Sequence, residues 1–300
     1  RSDWSSDVCS SDLTKKLGAN ELKKTLKHQP LIKELAPGVR QVQNIRKNNT
    51  DLQYIEFQVL ELDNGAMYQE AGNELEVCIV VLTGKINVKV GDKWYENLGK
   101  RTSVFEKIPT DSIYIPAKTS FELIATSDTV RLALCYSPAK KKLPVHVITA
   151  EENTVEKRGI YQNKRLVHNI LPDNVDTASS LLVVEVYTEG GNFSSYPPHK
   201  HDQENLPDES YLEETYYHEL NPEQGFVFQR VYTEDGSIDE TMTIEHQNVV
   251  EVPKGYHPVG VPDGYTSYYL NVMAGPERIW KFHNEKKHEW ILNRNELTNN

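Results

Sequence analysis

Leu181-Leu182-Val183-Val184-Glu185-Val186-Tyr187, with a turn residue following at Gly190, reads as a β-strand. The same pattern stands earlier in the chain as Leu52-Gln53-Tyr54-Ile55-Glu56-Phe57-Gln58-Val59 leading to Gly65. Both segments alternate as half-buried strands do. A second pair repeats the correspondence: Ser112-Ile113-Tyr114-Ile115-Pro116-Ala117-Lys118 and Asn248-Val249-Val250-Glu251-Val252-Pro253-Lys254 each run a strand into a proline turn. Two such pairs in the same order indicate an internal duplication of an all-β unit. The region from Ser137 to Ser180 joins the copies. It carries the basic run Lys140-Lys141-Lys142 and the turn signal Pro172-Asp173-Asn174, and is expected to hold some strand of its own. This divides the chain into residues 14–165 and 166–300, after a separate leader, 1–13.

A chain of 300 residues and 34.4 kDa suffices for two domains with adequate cores. Its formal net charge of -11 and pI near 5.4 speak against phosphate backbones and anionic membrane surfaces as partners. The longest apolar runs, such as Cys78-Ile79-Val80-Val81-Leu82, are strand-sized and far short of the ~20 residues that span a bilayer. No secretory signal pattern opens the chain. Cys78 and Cys135 sit inside apolar runs, as reduced thiols do, so a cytoplasmic location is expected. Asp3 to Leu13 reads as a translated sequencing adapter and is set aside, Cys9 with it. Lys15 to Lys33 is basic and could form a short helix.

The copies differ in their histidines. Of ten, only His28 precedes residue 146, so the first copy lacks imidazoles for a metal. The second has Tyr196-Pro197-Pro198-His199-Lys200-His201, an acidic loop, Leu212-Glu213-Glu214-Thr215-Tyr216-Tyr217, and Pro253-Lys254-Gly255-Tyr256-His257. On a strand, residues i and i+2 share a face, so His199 and His201 can point together while Lys200 points away. Glu214 on the next strand and His257 from a later hairpin would complete three nitrogens and one oxygen, a set suited to a divalent metal, Zn or Mn first and Fe²⁺ also. His-x-His alone is a weak signal that occurs in solvated loops; the combination carries the inference.

These segments resemble the two metal-binding motifs of the cupin superfamily, in which a small β-barrel holds a metal with three His and one Glu. The spacing departs from that pattern. Asp202 to Glu213 intervene before the Glu, and the final His follows Gly255 by one intervening residue instead of two, so Glu213 stays beside Glu214 as a candidate ligand. More narrowly, residues 194–202, 212–231 and 255–280 resemble the 5-deoxy-glucuronate isomerase family of myo-inositol catabolism, relatives of 5-keto-4-deoxyuronate isomerase, with similarity from about Gly38 to Trp290. The resemblance implies two cupin-like barrels with metal in the C-terminal one only, and an aldose–ketose isomerisation giving 2-deoxy-5-keto-gluconate. A 5-keto-4-deoxyuronate isomerase is the nearest alternative activity, and an Fe-dependent cupin dioxygenase is a rival enzyme. A sugar-acid sensor is a rival without catalysis, and no DNA-recognition module supports it.

Moving a carbonyl from C1 to C2 takes a proton from one carbon and returns one to its neighbour. A metal can support this while a carboxylate, His or Tyr shuttles the proton, or can assist a hydride shift. Glu213, Tyr217 and His218 are the nearest candidates for the shuttle, although tyrosines in strands more often pack or orient ligands. Arg binds both oxygens of a carboxylate in a planar fork. Arg230, in the strand Phe226-Val227-Phe228-Gln229-Arg230-Val231-Tyr232, is the first choice for the substrate's carboxylate, and Lys254 the second. A surface ion pair is the plain alternative for Arg230. The expected partner is a small sugar acid, and a homo-oligomer is compatible with the sequence. Removing Asp3 to Leu13 should leave folding unchanged. Loss of the cooperative unfolding transition in that truncation would overturn the adapter reading.

Overall fold

The computed structural model describes residues 25–294, so the reading of residues 1–13 lies outside it. The described chain is built almost wholly from antiparallel strands. One seven-stranded sheet runs across His146–Ile148, Ser112–Ile115, Leu75–Thr83, Thr129–Pro138, Glu56–Asp63, Val39–Ile45 and Lys33–Ala36. The other runs across Lys27–His28, Val249–Val252, Glu213–Asn221, Thr266–Ala274, Leu182–Glu189, Arg165–Leu171 and Thr154–Arg158. Each faces a four-stranded sheet. The first small sheet holds Met67–Glu70, Phe121–Ala125, Ile86–Val90 and Lys93–Leu98; the second holds Phe193–Ser194, Val259–Gly260, Phe226–Tyr232 and Asp239–Glu245. Strand for strand the two sets have the same order, which is the duplication read from sequence.

The match has one exchange. The edge strand Lys27–His28 precedes the first set in sequence but pairs with Val249 and Val250 in the second; of the basic segment Lys15 to Lys33, residues 25–33 hold strand and no helix, and the rest lies outside the described residues. His146–Ile148 takes the equivalent edge of the first sheet. Sheet membership changes between Ile148 and Thr154, within the connector.

Both faces of each large sheet are buried. Val77, Ile79 and Val81 point into an apolar interior against the first small sheet, while Cys78, Val80 and Leu82 point the other way. Leu182, Val184 and Val186 likewise face the second interior, and Leu181, Val183 and Tyr187 face outward. The outward residues of both sheets form one shared cluster, with Phe57 against Tyr217 at 5.9 Å, so the large sheets pack back to back. Burial of both faces explains why these strands read as continuous apolar runs instead of the alternation of a sheet with one wet face.

Charged side chains on the shared face are satisfied across it. Arg101 donates to Glu185 and to the Tyr187 hydroxyl, and Tyr268 donates to Glu185 at 2.8 Å. Glu76 accepts the backbone N–H groups of Ser179, Ser180 and Leu181, and Glu213 those of Gln53 and Tyr54. Burial would push the Glu185 carboxyl up, but Arg101 and His168 outweigh it and hold it down at about 2. Its stabilising contribution is therefore complete above the unfolded carboxylate value of ~4.3 and is lost as pH falls from there toward about 2. Glu185→Gln leaves Arg101 buried without its charge partner, and we expect a loss of roughly 3–5 kcal/mol in urea unfolding at neutral pH. Lys140→Ala, which removes the exposed pair with Glu277, should change stability by no more than ~1 kcal/mol. Equal effects from the two variants would contradict this account.

Candidate metal centre

The strand Glu213–Asn221 sorts its side chains by the pleat. Tyr216 and Leu220 belong to the second interior, and Glu214 and His218 share their face; Tyr217 belongs to the shared cluster, and Glu213 and Glu219 share that face. The neighbouring carboxylates Glu213 and Glu214 thus point in opposite directions, one to the backbone of the other half and one to the histidines.

Glu214 is met by three imidazoles. His201 Nε2 and His257 Nε2 each lie 3.1 Å from Glu214 Oε2, and the candidate ligand nitrogens of His199, His201 and His257 lie within 4.8 Å of one another. His201 Nδ1 is 2.9 Å from the Leu212 carbonyl and His257 Nδ1 2.8 Å from the Gly255 carbonyl. Those backbone acceptors fix both rings through Nδ1 and aim their Nε2 atoms at Glu214. Asn271 donates to Glu214 Oε1 and fixes the carboxylate's other oxygen.

The donor set fits a metal. Ligand atoms about 3 Å apart are what an ion imposes when it binds each at ~2.0–2.1 Å. His257 Nε2 is buried and makes no hydrogen bond, an orphan that coordination would satisfy. Burial, together with the neighbouring His257 and His201, depresses the His199 pKa well below its usual value and keeps it the neutral ligand form. Burial would raise Glu214, but His257 and His201 hold it down at about 2, so it remains a carboxylate.

The equivalent positions in the first set are inert. Glu214 pairs with Val252, the residue before Pro253, and Val77 pairs with Ile115, the residue before Pro116. Val77 therefore replaces Glu214, and Glu76 corresponds to Glu213, each reaching into the opposite half. Counting on from the same prolines, Ser120 stands where His257 does.

The structure gathers His199, His201, Glu214 and His257, with His218 further along the same interior. His218 Nε2 is 3.1 Å from Gln229 Oε1, and burial lowers its pKa to about 4, so it is neutral near pH 7. Four expected residues lie elsewhere. Glu213 and Tyr217 face the opposite half, where Tyr217 donates to Glu219 at 3.0 Å. Arg230 stands on the outer face of its strand, because the pleat turns Gln229 inward; its fork is taken by Asp239 at 2.8 and 2.9 Å and its plane lies 3.9 Å over the Tyr232 ring. Lys254 is exposed in its turn, near Asp235. Sequence reasoning passed over Tyr216, whose hydroxyl is 3.0 Å from Ser195 Oγ and whose ring is 5.8 Å from His257. It also passed over Asn271, an amide inside the apolar strand Thr266–Ala274, which is the signal that could have found it.

The KduI/IolB family profile matches residues 31–291. A protein of Listeria innocua named 5-deoxy-glucuronate isomerase is 64% identical over 269 residues, covering 90% of this chain and 98% of its own length. One of the same name from Bacillus subtilis strain 168 is 62% identical, covering 90% and 99%. The crystal structure of an IolB-like protein from Salmonella typhimurium LT2 superposes with a TM-score of 0.85 at 46% identity, covering 90% of this chain and all of the other. The Lactobacillus farciminis oxalate decarboxylase structure superposes with a TM-score of 0.65 at 12% identity over 88% and 89%, a likeness of cupin fold alone.

The face assignment separates the two glutamates experimentally. Glu214→Gln should lower bound metal per chain by at least ~10-fold by elemental analysis, as loss of a charged ligand does. Glu213→Gln should keep its metal while losing stability. The reverse pattern would show that the ligand had been chosen wrongly.

Proposed function

Because the chain belongs to the KduI/IolB family, we propose that it is a metal-dependent aldose–ketose isomerase that converts 5-deoxy-glucuronate into 2-deoxy-5-keto-gluconate in myo-inositol catabolism. The observation that carries the metal dependence is the convergence of two imidazole Nε2 atoms on one oxygen of Glu214, with a third imidazole alongside. We further assign the fold as two cupin-like barrels, divided in the connector, with the metal in the second. The reaction takes place in the cytoplasm, which fits an enzyme with free buried cysteines and, among the described residues, no helix long and apolar enough to cross a membrane.

In this reading His199, His201, Glu214 and His257 hold a divalent ion, zinc or manganese. Such an ion supplies Lewis acidity, drawing electron density from a carbonyl and its adjacent hydroxyl. The chain's own residues do the rest. Asn271 locks the orientation of Glu214, and the Leu212 and Gly255 carbonyls lock His201 and His257, so the ligand set is arranged in advance of substrate. Phe282 lies 4.7 Å from His199, the least buried of the three histidines, and covers that approach to the site. The isomerisation moves the hydrogen on C2 to C1 and the proton of the C2 hydroxyl to the C1 oxygen, so the aldehyde is reduced and the C2 alcohol oxidised with no external redox partner. Of the proton carriers expected from sequence, His218 alone faces the interior, in a neutral form able to exchange one proton.

The metal-reconstituted protein should convert 5-deoxy-glucuronate without consuming oxygen, and chelation should abolish turnover until Zn²⁺ or Mn²⁺ is restored. Oxygen uptake stoichiometric with product would favour a dioxygenase instead. Turnover that survives complete metal removal would end the metal-dependent reading.

A further inference from the structure

Among the described residues most buried and half-buried arginines have their charge or their donors met; the departures are Arg294, which stacks over the Tyr161 ring at 4.4 Å far along the chain with its Nε unpaired, and Arg165. Arg101 is paired with Glu185, Arg131 with Glu61 and Glu219, and Arg46 with Glu56. Arg278 lacks a carboxylate, but its donors are filled by backbone carbonyls, among them those of Leu181, Val175 and Pro172. Arg165 has neither arrangement. Among the described residues it makes no ion pair, and its recorded hydrogen bond is from Nη1 to the Asn163 carbonyl at 2.9 Å. A half-buried guanidinium left without an anion is unfavourable to hold, so it marks a place where an anion is expected to arrive.

Arg165 lies on the interior face. It is two residues from Val167, which packs in the second interior, whereas Leu166 packs in the cluster between the halves. Tyr216 and Tyr269 lie in that same interior. The cross-strand partner of Arg165, Arg158, lies over the Trp280 ring at 5.9 Å; Trp280 in turn is 6.2 Å from Phe282, which is in contact with His199. The Trp280 indole Nε1 is also buried without a hydrogen-bond partner. The unpaired Trp280 donor and the Arg158 that stands across from Arg165 are thus linked by ring contacts to His199, the most open of the three histidines. Arg165 is half-buried and only its Nη1 is given a hydrogen bond, which leaves the Nε and Nη2 edge for a ligand.

We propose that Arg165, and not Arg230, binds the carboxylate of the sugar-acid substrate and sets the preference for a uronic acid over a neutral aldose. This deepens the isomerase reading and rests on it for the identity of the substrate. The planar Nε/Nη2 edge can take both carboxylate oxygens at once, leaving the aldehyde end of the chain for the metal ligands.

The experiment compares metal-loaded wild type, Arg165→Gln, Arg165→Lys and Arg230→Gln. Three quantities are measured: bound metal per chain, affinity for glucuronate and for glucose by titration calorimetry, and KM for 5-deoxy-glucuronate. Arg165→Gln should keep its metal, lose the preference for glucuronate over glucose, and raise KM by roughly 10- to 100-fold, the range for a lost charge-assisted hydrogen bond. Arg165→Lys keeps the charge without the fork and should fall between the two; it serves as the test if Arg165→Gln does not fold. Unchanged glucuronate affinity and KM in a metal-loaded Arg165 variant would overturn the proposal, as would the same losses arising from Arg230→Gln instead. A wild type that discriminates glucuronate through Arg165 yet fails to isomerise 5-deoxy-glucuronate would refute the isomerase reading while supporting the role of Arg165.

Discussion

Everything in this fold depends on two seven-stranded sheets having to bury both of their faces. A sheet with one wet face can leave polar side chains in water; here the outward face of each sheet meets the other, so polar groups on it must find partners across the seam. Glu185 finds Arg101, Glu76 finds three backbone amides, and Glu213 finds two. The last two carboxylates occupy corresponding positions in the two copies and bind in reciprocal directions. The duplication is therefore preserved in its polar contacts as well as in its strand order.

With the outward faces committed to this seam, the inward faces were free to diverge. The first interior is lined by Leu, Ile and Val, and the second accommodates Glu214, Tyr216, His218 and Tyr269 in the same kind of sheet. Polar residues of this number at low accessibility are stable only as a connected set. Glu214 illustrates it: one oxygen is held by Asn271 and the other is aimed at two imidazoles whose remaining nitrogens face backbone carbonyls.

Strand identity, the duplication and the grouping of the histidines were legible from sequence because they follow from local patterns: apolar runs, a proline after each matching strand, and His-x-His. What failed to be legible was direction. Glu213 and Glu214 are adjacent, and choosing between them requires knowing which face of the strand meets the histidines; the same pleat puts Tyr217 in the seam and Tyr216 at the site. Arg230 looked suitable because it stands among aromatics, but those aromatics lie on the sheet's outer surface, where Asp239 was available to pair with it. Arg165 sits in what reads as a connector, and only the strand pairing Arg165–Leu171 with Leu182–Glu189 brings it toward the chemistry.

The exchanged edge strand ties the two copies together in a way the seam alone would not. Lys27 and His28 hydrogen-bond along Val249 and Val250, His28 contacts Glu251 at 2.8 Å, and Gln43 of the first sheet donates to the carbonyls of both His28 and Gln247. A ribosome releases this strand long before the sheet it completes, so the second sheet cannot close its edge until nearly the whole chain has emerged. Severing the connector would accordingly yield not two autonomous modules but one piece missing an edge and another carrying a strand with no sheet of its own, and an uncovered edge invites pairing with foreign strands. Gene fragments encoding the histidine-rich half by itself are for that reason poor starting points for producing a well-behaved miniature protein.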